Sequence, residues 1–149
     1  MQDKKHPITI LMADDDADDR LLTKKAFDSA RLVNDFRTVA DGEQLLAYLR
    51  QRDPFKDPDA APRPGLILLD LNMPRKDGRE ALAEIKQDPA LRRIPVVVLT
   101  TSKSEEDVLR SYDLGANSYI RKPVTFESLV EVMKALGQYW FEIVDLPPD

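Results

Sequence analysis

The sequence predicts an α/β protein with a doubly wound, five-stranded parallel sheet and five helices. Two observations lead to this prediction: five short apolar segments of strand length recur along the 149 residues, and a segment with helical spacing follows each of them. Strands that alternate with helices form parallel sheets covered on both faces by right-handed crossovers. One domain accounts for the length, because a chain of this size can bury its own core.

The first half of the chain supplies two strand–helix units and a long connection. An apolar run over 8–13 predicts the first strand, and the acidic residues after it begin a helix at 16–17. Residues 36–40 predict the second strand, and the second helix opens at 41–42. The segment 53–64 holds four prolines and several charges, which favours an exposed surface insertion.

The second half supplies three further units. Residues 65–70 form an apolar run that ends in a carboxylate, which is typical of a central strand, and the helix after it ends before Pro89. Residues 95–99 are strongly β-prone, and the next helix has Gly115 as its C-cap. A short fifth strand over 118–120 leads into the last helix.

Composition limits the classes of function. The chain has no cysteine, which excludes disulfides, thiolate metal sites and cysteine nucleophiles and suits a reducing cytoplasm. The net charge of -5 offers no dominant positive field, so we expect no nucleic acid as a direct partner. The N-terminal segment has no signal-peptide core and is too short to span a bilayer, so we expect no membrane association.

Polar residues follow the strands where each strand ends. Asp14–Asp16 follow the first strand, Asp70 closes the third, Thr100–Thr101 close the fourth, and Lys122 follows the fifth. Doubly wound sheets place their ligands at the carboxyl ends of the strands. Carboxylates held together repel one another unless a cation neutralises them, and an all-oxygen set with room for a phosphate oxygen suits Mg²⁺. The lysine and the hydroxyl would then face an anion that the metal recruits.

These motifs together resemble the receiver domain of the response regulators of two-component signalling, over residues 7–138. The resemblance implies a flavodoxin-like fold with strand order 2-1-3-4-5. The motifs that carry it are the acidic cluster in Ile10-Leu11-Met12-Ala13-Asp14-Asp15-Asp16, Leu68-Leu69-Asp70-Leu71-Asn72-Met73-Pro74 with Asp77-Gly78, Val98-Leu99-Thr100-Thr101, and Tyr119-Ile120-Arg121-Lys122-Pro123.

The resemblance also implies an acceptor and a metal site. Asp70 is implied as the phosphoacceptor, and the donor is a phosphohistidine on a sensor histidine kinase. Asp15 and Asp70 are implied as direct Mg²⁺ ligands together with the backbone carbonyl of Asn72, and Asp14 as acting on the metal through water. The protein is then a phosphoacceptor signalling protein that assists its own phosphorylation and dephosphorylation, rather than an enzyme with an external substrate.

Further roles follow from the resemblance, and each has a structural alternative. Thr100 and Lys122 are implied to contact the phosphoryl group, and Tyr119 to change rotamer as the domain switches. Tyr119 is equally compatible with plain core packing, and the acidic run after the first strand with helix capping. The sequence does not decide whether the Lys122–Pro123 bond is cis or trans.

The end of the chain is unusually apolar for a terminus. We expect a receiver domain over 1–138, and over 139–149 an apolar tail in place of an output domain, so that the receiver surface itself carries the signal. Three segments resemble the small regulators that accompany bacterial and cyanobacterial phytochromes: this tail, Asn72-Met73-Pro74-Arg75-Lys76-Asp77-Gly78-Arg79-Glu80 and Leu99-Thr100-Thr101-Ser102. This resemblance implies a phytochrome-type kinase and a homodimer through the last helices and tail. The aromatic residues Tyr139, Trp140 and Phe141 could equally pack back onto their own domain.

Two other functions compete with this interpretation. A phosphatase with an aspartyl nucleophile generally carries an acid–base carboxylate two residues later, and Asn72 occupies that position. Nucleotide-binding enzymes place a glycine-rich loop after the first strand, where this chain has aspartates. A receiver-like module that binds partners without phosphorylation is the remaining alternative, although its clustered carboxylates would then only cost stability.

Overall fold

The computed structural model describes residues 8–143 and 146–147, and in them the chain forms five strands and five helices. The strands are β1 (Thr9–Ala13), β2 (Phe36–Val39), β3 (Pro64–Leu69), β4 (Val96–Thr100) and β5 (Ser118–Arg121). The helices are α1 (Ala17–Ser29), α2 (Gly42–Leu49), α3 (Gly78–Gln87), α4 (Glu105–Asp113) and α5 (Phe126–Gly137). A π-helical segment, Gln138–Ile143, continues α5.

All five strands are parallel, and their order across the sheet is β2-β1-β3-β4-β5. This confirms the predicted doubly wound fold with strand order 2-1-3-4-5. β1 pairs with β2 on one side and with β3 on the other, so the order reverses beside β1. The carboxyl ends of β1 and β3 therefore form the crevice in which folds of this kind place their ligands.

The sheet carries an apolar layer on each face, because successive residues of a strand point to opposite sides. One layer joins alternate strand residues to α2 and α3, and the other joins the remaining strand residues to α1 and α5. Burying a leucine or isoleucine fully contributes about 1.5–3 kcal/mol, so these layers fix the three central strands firmly. The fully buried strand residues include Leu11, Ile67, Leu69 and Val98 in the first layer and Ile10, Leu66 and Val97 in the second.

Each helix begins at a side chain that accepts a hydrogen bond from a backbone N–H of its first turn. The capping residues are Asp16 for α1, Asp41 for α2, Asp77 for α3, Ser104 for α4 and Thr125 for α5. A cap of this kind contributes about 1 kcal/mol to a helix. Helix capping, one of the two interpretations of the acidic run after the first strand, is therefore confirmed for Asp16.

Several element boundaries differ by one residue from the predicted ones. Asp70 is the first residue after β3, and Thr100 is the last residue of β4. The C-cap of α4 is Leu114, and Gly115 follows it with φ 107, a left-handed conformation that favours glycine. Among the described residues the structure has one cis peptide bond, at Asp53–Pro54, so the Lys122–Pro123 bond is trans.

The connection between α2 and β3 is exposed over most of its length but is anchored at its end. The Tyr48 hydroxyl donates to the Pro62 carbonyl at 2.8 Å, and Arg37 donates to the Ala60 carbonyl at 2.6 Å. Pro64, predicted to belong to the connection, is buried and opens β3. The predicted surface insertion is therefore confirmed up to the residues that fasten it to the sheet.

The aromatic residues after α5 take different positions. Trp140 is 7% exposed and packs into the apolar layer between the sheet, α1 and α5, with Phe141 partly buried beside it. Tyr139 is 52% exposed, and its ring meets the Trp140 ring edge-on with centroids 5.2 Å apart. Of the predicted tail, residues 144–145 and 148–149 lie outside the described residues, as do residues 1–7 of the predicted domain. Within 8–143 and 146–147 no helix is long and apolar enough to cross a bilayer.

Candidate functional site

The candidate site lies in the crevice at the carboxyl ends of β1 and β3. Asp14 directly follows β1, and Asp70 directly follows β3. The Asp70 backbone N–H donates to the Ala13 carbonyl at 3.0 Å, which continues the pairing of the two strands one residue past β3. The two aspartates therefore leave the sheet side by side, and they are 0% and 7% exposed, respectively.

Lys122 brings a positive charge to these carboxylates. Its backbone N–H donates to the Thr100 carbonyl at 2.8 Å, which holds the residue against the end of β4. Its ammonium lies 2.6 Å from Asp14 Oδ2, 2.8 Å from Asp19 Oδ2 and 3.3 Å from Asp70 Oδ2. Burial alone would lower the pKa of this ammonium, but its hydrogen bonds to Asp14 and Asp19 and the charge of Asp70 raise the pKa above its ordinary value. The lysine therefore stays protonated.

Asp14 is held at its backbone and at both carboxylate oxygens. Its Oδ1 accepts the Asp16 backbone N–H at 2.9 Å, and its carbonyl accepts Arg20 at 2.7 Å. Burial raises the pKa of its carboxyl, against the opposing effects of the Lys122 ammonium and the Asp16 N–H. A buried carboxylate whose charge is incompletely compensated favours a further cation nearby.

The residues of the crevice fit a divalent metal ion. One oxygen from each of Asp14, Asp15 and Asp70 can be chosen so that all three lie within 4.8 Å of one another. Asp15 is exposed while the other two are buried, so a cation held here would keep an open side toward solvent. The donor set consists of carboxylate oxygens, which hard divalent cations prefer. The carboxylates that the sequence predicts for a metal site therefore lie close enough together to hold a cation.

The Asp70 carboxylate is bonded on both of its oxygens. Thr100, which is fully buried, donates its hydroxyl to Oδ1 at 2.7 Å, and the Asn72 backbone N–H lies 3.4 Å from the same oxygen. Lys122 faces Oδ2. The structure thus brings together five residues that the sequence places at strand ends, with Asn72 beside them. They are Asp14, Asp15, Asp70, Thr100 and Lys122.

Tyr119 is linked to the site through the chain after β4. Its hydroxyl donates to the Ser102 carbonyl at 3.1 Å, two residues after Thr100, and its ring is partly buried against the apolar layer under α2 and α3. The core packing that the sequence allowed for Tyr119 is therefore present, and its hydroxyl also contacts the segment between the site and α4. Its change of rotamer on switching stays a prediction.

An ion pair also reaches this segment from α3. Arg79 donates two hydrogen bonds to the Asp107 carboxylate of α4, at 3.0 and 2.8 Å, and Ser102 donates its hydroxyl to the same carboxylate at 2.6 Å. Arg79 and Ser102 hold the pKa of Asp107 below its ordinary value. Since a further guanidinium nitrogen lies 3.5 Å from the Leu71 carbonyl, the pair connects α4 to the residue after Asp70.

Three of these groups are not predicted from the sequence. Asp19 lies in the acidic run, and a helix that begins at Ala17 turns it toward the carboxyl end of the sheet, so the predicted helix start contained that signal. Arg20 follows it on the same helix. The Arg79–Asp107 pair joins residues 28 positions apart, and no local pattern predicts it.

The fold and the acidic crevice define the class of protein. The model of the response regulator receiver domain matches residues 10–134, and the chain belongs to this family. The predicted family is confirmed, and the chain is a signalling protein related to phytochrome response regulators.

Two relatives illustrate the similarity. Response regulator Rcp1 of Synechocystis sp. (strain ATCC 27184 / PCC 6803 / Kazusa) is 42% identical over 149 residues, which cover 99% of each chain. The crystal structure of the Mn²⁺-bound form of Rcp1 matches with a TM-score of 0.85 and 42% identity, over 95% of this chain and 100% of that one. The phosphorylated cyanobacterial phytochrome response regulator RcpA matches with a TM-score of 0.88 and 43% identity, over 96% and 100%.

Proposed function

We propose that Asp70 accepts a phosphoryl group from a sensor histidine kinase, and that the receiver surface passes the signal on by altered protein binding. One observation carries the proposal: the Asp70 carboxylate lies between the Thr100 hydroxyl and the Lys122 ammonium, beside two further carboxylates. This arrangement offers a nucleophile, two groups for phosphoryl oxygens and a place for a cation.

In the proposed transfer, an Asp70 oxygen forms a bond to phosphorus while the bond from phosphorus to the histidine nitrogen of the kinase breaks. The electron pair of the broken bond stays on the imidazole. Lys122 and Thr100 bind the equatorial oxygens and hold the acceptor in line, so the protein contributes position and charge. Attack by water on the aspartyl phosphate later releases inorganic phosphate and restores the carboxylate.

We assign the cation as Mg²⁺. Asp15 and Asp70 would bind it directly with the Asn72 backbone carbonyl, and Asp14 would act through water. Bound there, the ion supplies charge neutralisation among the carboxylates and a contact for a phosphoryl oxygen. The Mn²⁺-bound form of Rcp1 supports a divalent ion in a relative of this chain.

The signal is proposed to leave through α4, β5 and α5. A phosphoryl group on Asp70 rearranges the groups that now bond its two oxygens, and Thr100 is one of them. The Tyr119 hydroxyl bonds the Ser102 carbonyl, which lies two residues after Thr100. A shift of this segment would therefore break or re-form that hydrogen bond and change the rotamer of Tyr119. The face beside it would change shape, and with it the affinity for a partner.

The direct test is phosphorylation by a small donor, acetyl phosphate, in the presence of Mg²⁺. Asp70→Asn keeps the size of the side chain but removes the anionic oxygen, so we expect labelling to be lost. Asp28→Asn, an exposed position of α1, serves as the control and should label like the wild type. Labelling of Asp70→Asn at wild-type stoichiometry would refute the assignment. A wild-type chain that accepts no phosphoryl group would favour the phosphorylation-independent binding module.

We further propose a phytochrome-type kinase as the donor. The support is similarity over nearly the whole chain to a cyanobacterial phytochrome response regulator. The structure adds an exposed apolar surface, formed by Leu22, Val124 and Phe126, around a groove that Lys122 also lines. Transfer from a purified phytochrome kinase should be faster than from kinases with other sensor domains, and equal rates would count against this donor.

A homodimer through the last helices and the tail is also proposed. Trp140 is committed to its own domain, so the support comes from Tyr139 and Phe126, which are 52% and 39% exposed. Light scattering after size exclusion should give a dimer for the wild type and a lower mass for Tyr139→Ser. Tyr112→Ser, at an α4 position of similar exposure, should leave the dimer intact. A monomeric wild type, or two variants of equal mass, would contradict this interface.

A further inference from the structure

Lys122 is shared among three carboxylates, and its nearest partners are not the acceptor. The ammonium lies 2.6 Å from Asp14 and 2.8 Å from Asp19, but 3.3 Å from Asp70. Asp14 and Asp70 stand at strand ends, whereas Asp19 projects from α1. The helix therefore supplies a partner that holds the ammonium to one side of the acceptor.

Asp19 differs from the other two partners in its relation to the metal pocket. The carboxylates that can converge on a cation are Asp14, Asp15 and Asp70, and Asp19 is outside this group. A cation that neutralises Asp14 and Asp70 weakens their attraction for Lys122, because opposite charges then lie close to both carboxylates. The attraction of Asp19 is affected least, so the lysine is drawn toward α1 at the stage when the phosphoryl group arrives.

We propose that Asp19 is a positioning residue that competes with the phosphoryl group for the Lys122 ammonium. The inference rests on the proposed phosphorylation of Asp70. Asp19 holds the lysine beside the empty acceptor, and the phosphoryl oxygens must draw the ammonium away from it. Asp19 thus sets how readily the Lys122 ammonium moves to the phosphoryl oxygens. It also keeps part of the lysine charge away from the metal pocket.

This role predicts two affinities that change in opposite directions. In Asp19→Asn the lysine turns fully to Asp14 and Asp70, which places more positive charge in the pocket, so Mg²⁺ should bind more weakly. The same ammonium is free to meet an anion on Asp70, so beryllofluoride, an analogue of the phosphoryl group, should bind more tightly at saturating Mg²⁺. A partly exposed ion pair of this kind corresponds to about a threefold to fivefold change in each affinity.

The experiment is calorimetric titration of the full chain with Mg²⁺ alone and then with beryllofluoride at saturating Mg²⁺. Asp18→Asn is the matched control, because it removes the same charge from the neighbouring, exposed residue of the first turn of α1. A thermal melt of each variant verifies folding. We expect opposite shifts for Asp19→Asn and less than half of either shift for Asp18→Asn.

Other outcomes overturn the proposal. If both affinities fall together in Asp19→Asn, the residue only maintains the shape of the site. If the two variants behave alike, net charge rather than contact with Lys122 is responsible. Failure of wild-type chain to take up beryllofluoride at all would instead count against Asp70 as acceptor, and the Mg²⁺ titrations would still compare the two variants.

Discussion

Two regions that meet at the candidate site, the central strands β1 and β3 and the edge formed by β5 and α4, are held together by different forces. On the side of Asp14 and Asp70, β1 and β3 are buried along almost their whole length between two apolar layers. On the other side, every residue of β5 is at least partly exposed, and α4 buries only Ser111 among its residues. The Ser111 hydroxyl has no hydrogen-bond partner among the described residues. Apolar burial thus fixes the acceptor, whereas polar contacts hold α4.

The difference shows which side can move at low cost. α4 exposes Leu109 and Tyr112 and depends on the Arg79–Asp107 pair and its Ser104 cap. Partly exposed polar contacts contribute less net free energy than the burial of several apolar side chains, because water can replace them. Displacing β1 or β3 would instead expose fully buried side chains. This difference in packing favours a signal that shifts α4 while β1, β3 and the acceptor Asp70 stay in place.

The largest contrast is expected from leucine truncations on the two sides. Leu69→Ala removes a side chain that is 0% exposed and leaves a cavity, so the free energy of unfolding should fall by about 2–5 kcal/mol. Leu109→Ala removes one that is 67% exposed, and we expect a change within about 0.5 kcal/mol. Urea denaturation at pH 7 measures both. Similar losses would show that α4 is packed as firmly as the sheet.

A smaller effect is expected from the ion pair that holds α4. Arg79→Met keeps much of the side-chain volume but removes two hydrogen bonds to Asp107, and should lower the free energy of unfolding by about 1–2 kcal/mol. Hydrogen exchange should accelerate in α4 more than in β1. The control is Arg92→Met, at an exposed position outside α4 and away from Asp107, which should change neither. Uniform acceleration across the sheet would contradict a local role.

The same pair should weaken in acid. Arg79, with Ser102, lowers the pKa of Asp107 from 3.8, so the carboxylate form is favoured in the folded state. The stabilisation is complete above pH 3.8 and is lost as the pH falls through the lower, folded pKa. The stability difference between wild type and Asp107→Asn should therefore shrink when urea denaturation is repeated below pH 3.8. If the stability difference between wild type and Asp107→Asn stayed constant with pH, Asp107 would not contribute to the loss of stability in acid.

The smallest effect is expected for the tyrosine beside α4. Tyr119→Phe removes the hydrogen bond to the Ser102 carbonyl but keeps the ring against the core, so the loss should be about 0.5–1.5 kcal/mol. Since the proposed switch couples this hydrogen bond to the acceptor, binding of beryllofluoride should change by no more than the same free energy, about 0.5–1.5 kcal/mol. A much larger loss of anion affinity would place the tyrosine inside the site.

The sequence predicts the fold well because apolar runs and capping residues are local signals. The run before Asp70 and the acidic residues before α1 are each readable within a few positions. Because parallel strands place their carboxyl ends at one edge of the sheet, the sequence also predicts that Asp14, Asp70, Thr100 and Lys122 lie close together. What the sequence cannot supply is the partner of a long side chain. Arg79 and Asp107 meet only because α3 and α4 lie side by side in the folded chain.

Trp140 gives the molecule an optical reporter. It is the one tryptophan of the chain, and its indole is buried in the apolar layer between the sheet, α1 and α5 although it lies beyond the last helix. While the segment after α5 packs against the domain, the Trp140 emission should be blue-shifted relative to that of a solvent-exposed tryptophan. A partner that lifts this segment would expose the indole to water and move the emission to the red, so intrinsic fluorescence can follow seating of the tail without any added label.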